Sequence, residues 1–140
     1  MKWYIAAFLS AVFAALTSIL AKIGIKNINS NLATAIRTTV ILIFTWGIAI
    51  AQGTIPSIKE VDRNSFIFLI LSGIATGLSW LFYFYALKIG DANKVVPIDK
   101  LSLVITIIFA TLILKEKFTL QIAFGAILMT IGAITIAFSK

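Results

Sequence analysis

The fold is decided by an uncharged stretch in the middle of the chain, residues 64–87, which reads NSFIFLILSGIATGLSWLFYFYAL. A helix needs about 20 consecutive apolar residues to cross the hydrocarbon core of a bilayer, so this stretch is long enough to span it. Lys88 follows the stretch, and the first turn of the next long apolar run contains Pro97, Asp99 and Lys100. We expect Pro97 to lie in the first turn of that next helix, where a proline is tolerated because the amides have no intrahelical partner.

Four further apolar stretches flank the central one. Together, the predicted spans cover residues 3–21, 32–51, 65–87, 95–114 and 118–139. Composition agrees, since 61% hydrophobic residues and a mean hydropathy of +1.08 exceed what a soluble core of 140 residues could hide from water. We therefore predict an all-α integral membrane protein with five transmembrane helices in one domain, residues 1–140, as a multi-pass protein of the cell (plasma or inner) membrane.

Composition also excludes several kinds of function. The chain has no cysteine and no histidine, so disulfides, thiolate chemistry, a zinc site and a histidine-dependent catalytic triad are not available to it. Its net charge of +7 comes from lysines and arginines in ones and twos at segment ends, which is typical of interfacial anchoring rather than nucleic-acid binding. We expect neither an enzyme nor a cofactor, and a bilayer rather than a nucleic acid as partner.

The basic residues are divided almost evenly between the two sides of the membrane. With five spans, the N-terminal side holds Lys2, Lys59, Arg63, Lys115 and Lys117, and the other side holds Lys22, Lys26, Arg37, Lys88, Lys94, Lys100 and Lys140. When the partly intramembrane Arg37 and Lys100 are set aside, five face five, so the positive-inside rule favours neither orientation. Either one weakly biased orientation occurs, or both occur, as pairing with an inverted copy would require.

The fourth span carries a polar stripe. Asp99, Ser102 and Thr106 fall at i, i+3 and i+7, which places them on one helix face reaching toward mid-membrane. A carboxylate there is costly unless it is paired or faces water, so Asp99 is a candidate for cation or proton coupling, and its candidate partners are Lys100, Lys22 and Arg37. Alternatively, the hydroxyls bond their own helix backbone and Asp99 caps the helix N-terminus.

The third span combines a packing motif with polar and aromatic residues. Gly73 and Gly77 form a G-x-x-x-G pattern that favours close helix contact, while Thr76, Trp80 and Tyr83 are candidates to line a site. The aromatic rings suit stacking or cation–π contact with a substrate.

The first and fifth spans add small-residue faces. Thr17 lies on the one in the first span, and Gly125 and Gly132 mark a helix–helix seam in the fifth, which could form a dimer contact. The complete set of candidate binding or coupling residues is Asp99, Lys100, Ser102, Thr106, Thr76, Trp80, Tyr83, Thr17, Lys22 and Arg37.

Several of these patterns together resemble the EamA domain of the drug/metabolite transporter superfamily. They are the run Tyr83-Phe84-Tyr85-Ala86-Leu87-Lys88-Ile89-Gly90 with Ala92, Val95 and Pro97 after it, Leu114-Lys115-Glu116 in place of the family's Leu-Gly-Glu, Gly125 and Gly132, and upstream Lys22 and Arg37. The resemblance implies ten helices in two inverted five-helix halves around a central cavity, of which this chain is similar to one half.

On that resemblance, we expect a transporter or exporter of small metabolites or drug-like solutes, working by alternating access as an antiparallel homodimer. The chain departs from the family pattern at Asp99 and Lys100, where apolar residues are usual. It also lacks the first-helix carboxylate of the small multidrug resistance relatives, which argues against their proton–drug exchange. The alternative is a non-transporting membrane scaffold, or an accessory subunit that completes a transporter with another partner.

Overall fold

The computed structural model of the chain describes residues 2–139, so Lys140, which the charge count above includes, lies outside the described residues. That part contains no strand and six α-helices: α1 Trp3–Gly24, α2 Ser30–Ala51, α3 Arg63–Ile89, α4 Ala92–Asp99, α5 Ser102–Ile113 and α6 Leu120–Ala137, with a 3-10 helix at Ile55–Glu60. Because α4 and α5 form one membrane-length segment, Ala92–Ile113, five segments are long and apolar enough to cross a bilayer. The all-α membrane fold predicted from the sequence is therefore confirmed.

Both ends of α2 follow from local chemistry. The Asn29 side chain accepts hydrogen bonds from the amides of Asn31 (2.8 Å) and Leu32 (3.4 Å), which satisfies donors that lack helical partners. At the other end, Gly53 has a φ of 66°, and the Gly53 amide donates to the carbonyl of Ile50. This left-handed residue turns the chain back on the helix end, where glycine avoids the steric penalty of a Cβ.

The third helix begins on an acidic cap. The amide of Ser65 donates to the Asp62 carboxylate at 3.0 Å, and the amide of Phe66 donates to the Asp62 backbone carbonyl. Hydrogen bonds from the Ser65 side chain and amide lower the pKa of Asp62 below its ordinary value, because they stabilise the charged carboxylate. This cap lies before the membrane-spanning segment.

The fourth segment differs from the sequence prediction in two ways. The helix begins at Ala92, so Pro97 lies inside α4 rather than in its first turn, and its missing N–H leaves the carbonyl four residues earlier without its usual partner. The helix is then interrupted at Lys100 and Leu101, where the amide of Leu101 bonds the carbonyl of Ile98 in the tighter 3-10 pattern. The stripe from Asp99 to Ser102 thus crosses a helix break.

The described chain forms two compact units. One comprises residues up to Lys22 and from Ile89 onward, and the other comprises Ile23–Lys88. In the first unit, α6 packs closely against α4 and against α5. In the second, Ile25, Phe84 and Leu87 are the most buried large side chains, each 1% exposed or less.

The glycine pattern of α3 does not make a close helix contact within the described chain. A Cβ added at Gly73, Gly77, Gly125 or Gly132 would meet no atom within 4 Å beyond its own helix. These positions face open space, so the dimer contact predicted for Gly125 and Gly132 stays a prediction. Large apolar side chains such as Phe8, Phe68 and Leu112 are exposed along the helices, as expected of surfaces that face lipid or another membrane protein.

Candidate functional site

The most distinctive polar group inside a span is the guanidinium of Arg37. Arg37 lies seven residues after Ser30, the first residue of α2, so it sits about 10 Å along the helix axis from that end. Its guanidinium carbon is 4.2 Å from the ring centre of Phe84 and 5.5 Å from the ring centre of Trp80. Such cation–π contacts stabilise by about 0.5–2 kcal/mol each, and the upper end of that range applies where water is excluded.

Helix periodicity explains why both rings reach the same cation. Trp80 and Phe84 are four residues apart on α3, so their side chains lie one above the other on one face. Phe84 is almost fully buried, which limits its motion, and its ring meets that of Tyr83 edge-on at a centroid distance of 5.4 Å. We call Arg37, Trp80, Tyr83 and Phe84 the arginine–aromatic cluster.

One nitrogen of this cluster has no hydrogen-bond partner. Among the described residues, Arg37 Nη1 is the buried side-chain polar atom for which no donor–acceptor contact exists. Leaving a buried donor unsatisfied costs about 1–3 kcal/mol, and more when the group is charged. The aromatic rings contact the cation, but they do not supply the oxygen acceptors that a guanidinium fork prefers.

Two lysines share a role that differs from that of Arg37, since each donates to a backbone carbonyl in a connection between helices. Lys22 Nζ donates to the carbonyl of Gly90 at 2.6 Å, and Lys88 Nζ donates to the carbonyl of Ile28 at 2.8 Å. Gly90 directly follows α3, so the Lys22 amino group lies where helix carbonyls lack intrahelical partners and where a cation is favoured. Both amino groups thus hold connections between helices, which is a role that the sequence analysis did not assign to Lys22.

In the other unit, Asp99 forms an ion pair with Lys100, which is one of its three candidate partners from the sequence. Lys100 Nζ lies 3.4 Å from the Asp99 carboxylate, with side chains 50% and 32% exposed, respectively. Asp99 is the last residue of α4, so it does not cap a helix N-terminus, and the residue preceding α5 is Leu101. The alternative of Asp99 as an N-terminal cap is therefore wrong.

The hydroxyl groups bond to their own helices. Thr106 donates to the carbonyl of Ser102 at 2.8 Å, and Thr76 donates to the carbonyl of Ser72 at 2.9 Å. A hydroxyl that donates in this way keeps its oxygen lone pairs as acceptors, so it can still line a polar surface. Thr17 is half-buried on α1, in the unit that also holds Lys22 and Asp99.

The structure also shows a groove that the sequence analysis missed. It has a volume of about 350 Å³ and lies between α2 and α3, lined by Asn31, Thr34, Ala35, Thr38, Thr39, Leu42, Gly77 and Leu81. The signal was present, because Thr34 and Thr38 are four residues apart and share a face with Asn31. A smaller cavity of about 310 Å³ lies beside the 3-10 helix, with Trp46 and Ile58 in its walls.

Metal chemistry has no support in the part of the chain that the structure describes. No three histidine, cysteine, aspartate or glutamate side chains in residues 2–139 come close enough to hold a metal ion. The arginine–aromatic cluster, and the groove between α2 and α3 that Thr34, Thr38 and Thr39 line, are suited to binding an organic solute by charge, stacking and hydrogen bonding.

Comparison with known proteins agrees with this membrane architecture. Residues 1–138 match the family model described as the EamA-like transporter family. The chain belongs to this family. A Sinorhizobium protein described as an uncharacterized transporter in the cobO 3' region is 48% identical over 136 residues, and the match covers 97% of this chain and 96% of that relative.

A second relative is more distant. An uncharacterized protein of Methanocaldococcus jannaschii is 33% identical over 79 residues, which cover 56% of this chain and 58% of the relative. No solved structure matches the chain. The EamA resemblance seen in the sequence is thus confirmed across nearly the whole chain, and the chain is a multi-pass membrane protein of a transporter family.

Proposed function

We propose that this EamA-family protein transports small organic solutes by alternating access, as an antiparallel homodimer of two five-helix subunits. The observation that carries the proposal is a transporter-family chain with five membrane-length segments that holds a charged, aromatic-lined group within one of them. Intramembrane ionisable residues are costly and usually mark a substrate or ion pathway.

Three further observations support the dimeric arrangement. The Sinorhizobium relative is matched over 96% of its own length, so a unit of this extent recurs in that protein. The balance of lysine and arginine between the two sides permits both orientations. Finally, the open space at Gly73 and Gly77 leaves room for a helix of a second subunit to approach closely.

The direct test is flux through the purified protein in liposomes. The panel contains amino acids, carboxylic acids, sugars and aromatic amines. We expect the uptake of at least one of these solutes to exceed its uptake by protein-free liposomes tenfold. The substrate exchange should saturate with concentration, because a binding site and not a pore is responsible. Folded protein that moves none of the panel above background would contradict the transporter and favour a scaffold or an accessory subunit.

The same assay tests the proposed coupling through Asp99. Flux is measured with and without an imposed proton gradient, for the native chain and for Asp99→Asn. We expect the gradient-driven component to be lost in Asp99→Asn while exchange without a gradient remains, because only the titratable carboxyl is removed. Asp91→Asn, which changes an exposed carboxylate before α4, is the matched control and should keep the gradient-driven component. Equal responses of the two variants would leave Asp99 without a coupling role.

A further inference from the structure

The arginine–aromatic cluster carries information about the chemistry of the transported solute. Arg37 presents a planar fork of N–H donors, of which the Nη1 group is buried without an acceptor. A fork of this shape matches the two oxygens of a carboxylate or a phosphate, and the paired hydrogen bonds are stronger than neutral ones.

The positive charge of Arg37 is not balanced within its own unit. The carboxylates of Ile23–Lys88 are Glu60 and Asp62, and both precede α3. Asp62 is 22 residues before Phe84, so the two are about 30 Å apart along the helix. The other basic side chain near this end of α3, Lys88, donates a hydrogen bond to the carbonyl of Ile28. The cluster therefore offers one uncompensated cation inside a span, and a single negative charge would neutralise it.

The surroundings of the cation favour an apolar body on the bound anion. The rings of Trp80 and Phe84 flank the guanidinium, and Trp80 is partly exposed, whereas Phe84 is 1% exposed and supports the guanidinium from within the protein. Aromatic faces give contact area to hydrocarbon groups and exclude water, which strengthens the charge-assisted hydrogen bond. A strongly hydrated dianion gains less at such a place, because only one cation faces it.

We propose that Arg37 binds the carboxylate of a small monoanionic solute whose apolar part packs on Trp80. This inference rests on the proposed transport function and names its substrate class. The oxyanion chemistry is shared by a lipid phosphate, and the experiment below separates the two sources.

Binding is measured with three acids, acetate, phenylacetate and 4-methylphenylacetate, each paired with its amide, which keeps the shape and removes the charge. A Trp3→Phe, Trp46→Phe background leaves Trp80 as the fluorescent reporter in neutral phosphatidylcholine nanodiscs. We expect at least one acid to bind tenfold or more tightly than its amide, with affinity rising from acetate to the aromatic acids. If every acid binds no better than its amide, the proposal is wrong.

Variants then locate the effect. Arg37→Gln should weaken the acid at least tenfold, and Arg37→Lys should fall in between, because lysine keeps the charge but loses the fork. Phe84→Leu removes a ring that contacts the guanidinium and should weaken acetate and the aromatic acids alike, because the buried Phe84 side chain does not meet the solute. Arg63→Gln removes the same charge from the exposed start of α3 and should leave every affinity unchanged. Circular dichroism and the elution profile in size-exclusion chromatography verify that each variant is folded. If Arg37→Gln does not fold, Arg37→Lys takes its place in the comparison.

A lipid headgroup is tested by changing the bilayer. If phosphatidylglycerol nanodiscs alter the Trp80 signal in an Arg37-dependent way while no acid binds in phosphatidylcholine, the site holds the anionic headgroup of a lipid and the solute proposal is overturned. Failure of the two proposals is also distinguishable. Arg37-dependent acid binding without any solute flux would contradict transport, whereas flux without a preference for acids over amides would contradict only the carboxylate assignment.

Discussion

At the scale of single residues, the most unusual backbone position is Lys115. It has a φ of 55°, in the left-handed region, and the amide of Glu116 donates back to the carbonyl of Ala110 at 3.2 Å. A non-glycine residue in this region costs about 1–2 kcal/mol because its Cβ approaches the following carbonyl. The resemblance to the family's Leu-Gly-Glu therefore has a physical reason, since glycine adopts this conformation without the penalty.

This position gives a stability prediction. Lys115→Gly should raise the free energy of unfolding by about 0.5–1 kcal/mol, because the removed strain exceeds the added entropy of the unfolded chain. The measurement is the thermal midpoint in detergent micelles. Lys117→Gly, two residues further along the same turn and outside the left-handed region, is the matched control and should not stabilise. A lower midpoint for Lys115→Gly than for the native chain would show that the lysine side chain has a compensating contact.

Also at the residue scale, Arg37 and the two bonded lysines show that one type of charge has two roles. The amino groups of Lys22 and Lys88 are satisfied by backbone carbonyls at 2.6 and 2.8 Å, whereas Arg37 Nη1 has no acceptor. A lysine ammonium is compact and suits a single carbonyl, while a guanidinium suits two oxygens in one plane. This difference is the reason that the carboxylate proposal is assigned to Arg37.

At the scale of elements, helix ends are defined by specific caps and by one break. Asn29 caps α2, Thr119 accepts from the amide of Ile122 at the start of α6, and Asp62 caps α3. The break between α4 and α5 at Lys100 and Leu101 places the Asp99–Lys100 ion pair where the helical bonds change pattern. Interruptions of this kind are often functional hinges.

The cap of α3 predicts a pH dependence. Because the folded-state pKa of Asp62 lies below its ordinary value of 3.8, its stabilising effect is fully present above 3.8 and is lost as the pH falls through the lower folded value. We expect the amide resonance of Ser65 to titrate with a midpoint below 3.8 in NMR spectra. Asp62→Asn keeps an acceptor for the cap and should abolish that titration, while Glu60→Gln should leave it in place. A midpoint above 3.8 would contradict the cap.

At the scale of the whole molecule, the balance of lysine and arginine between the two sides supports the antiparallel homodimer proposed above. Apolar side chains are exposed along the described helices, so their surfaces are available to lipid and to a second subunit. Orientation in the membrane responds to a few lysines in short loops, which makes the arrangement testable by moving the balance.

We predict that forcing one orientation abolishes transport and that mixing orientations restores it. Ser57→Lys with Asn64→Lys adds charge on the N-terminal side, and Asn27→Lys with Asn93→Lys adds it on the other. Each variant alone should show one orientation by terminal reporters and lose at least 90% of flux, while co-expression of the two should restore it. A variant that is fixed in one orientation and keeps native flux would contradict the antiparallel dimer.

Part of the arginine–aromatic cluster is predictable from single residues, and part of it is not. Arg37, Trp80 and Tyr83 are distinctive because polar and aromatic residues are few within apolar runs. Asp99 and Lys100 are distinctive for the same reason, but they lie in the other unit, and their role stays a prediction. Phe84 was not assigned to the site, because a phenylalanine in a membrane helix looks like any lipid-facing residue until its neighbours are known. Pro97 was placed in the first turn because the span was predicted to start three residues late, and polar Asn93 and Lys94 gave no signal that the helix had already begun.

Five segments that are long and apolar enough to cross a bilayer, and the likeness to the EamA-like transporters, follow from the amino-acid sequence, because hydrocarbon excludes charge and unpaired backbone whatever the neighbouring helices are. The folded chain was needed to show that the Arg37 guanidinium lies 4.2 Å from the Phe84 ring centre, that Lys22 bonds Gly90, and that the glycine faces stay open. Helical periodicity tells which residues share a face, but which faces meet depends on how separate helices pack. That packing is set by contacts between residues far apart in the chain.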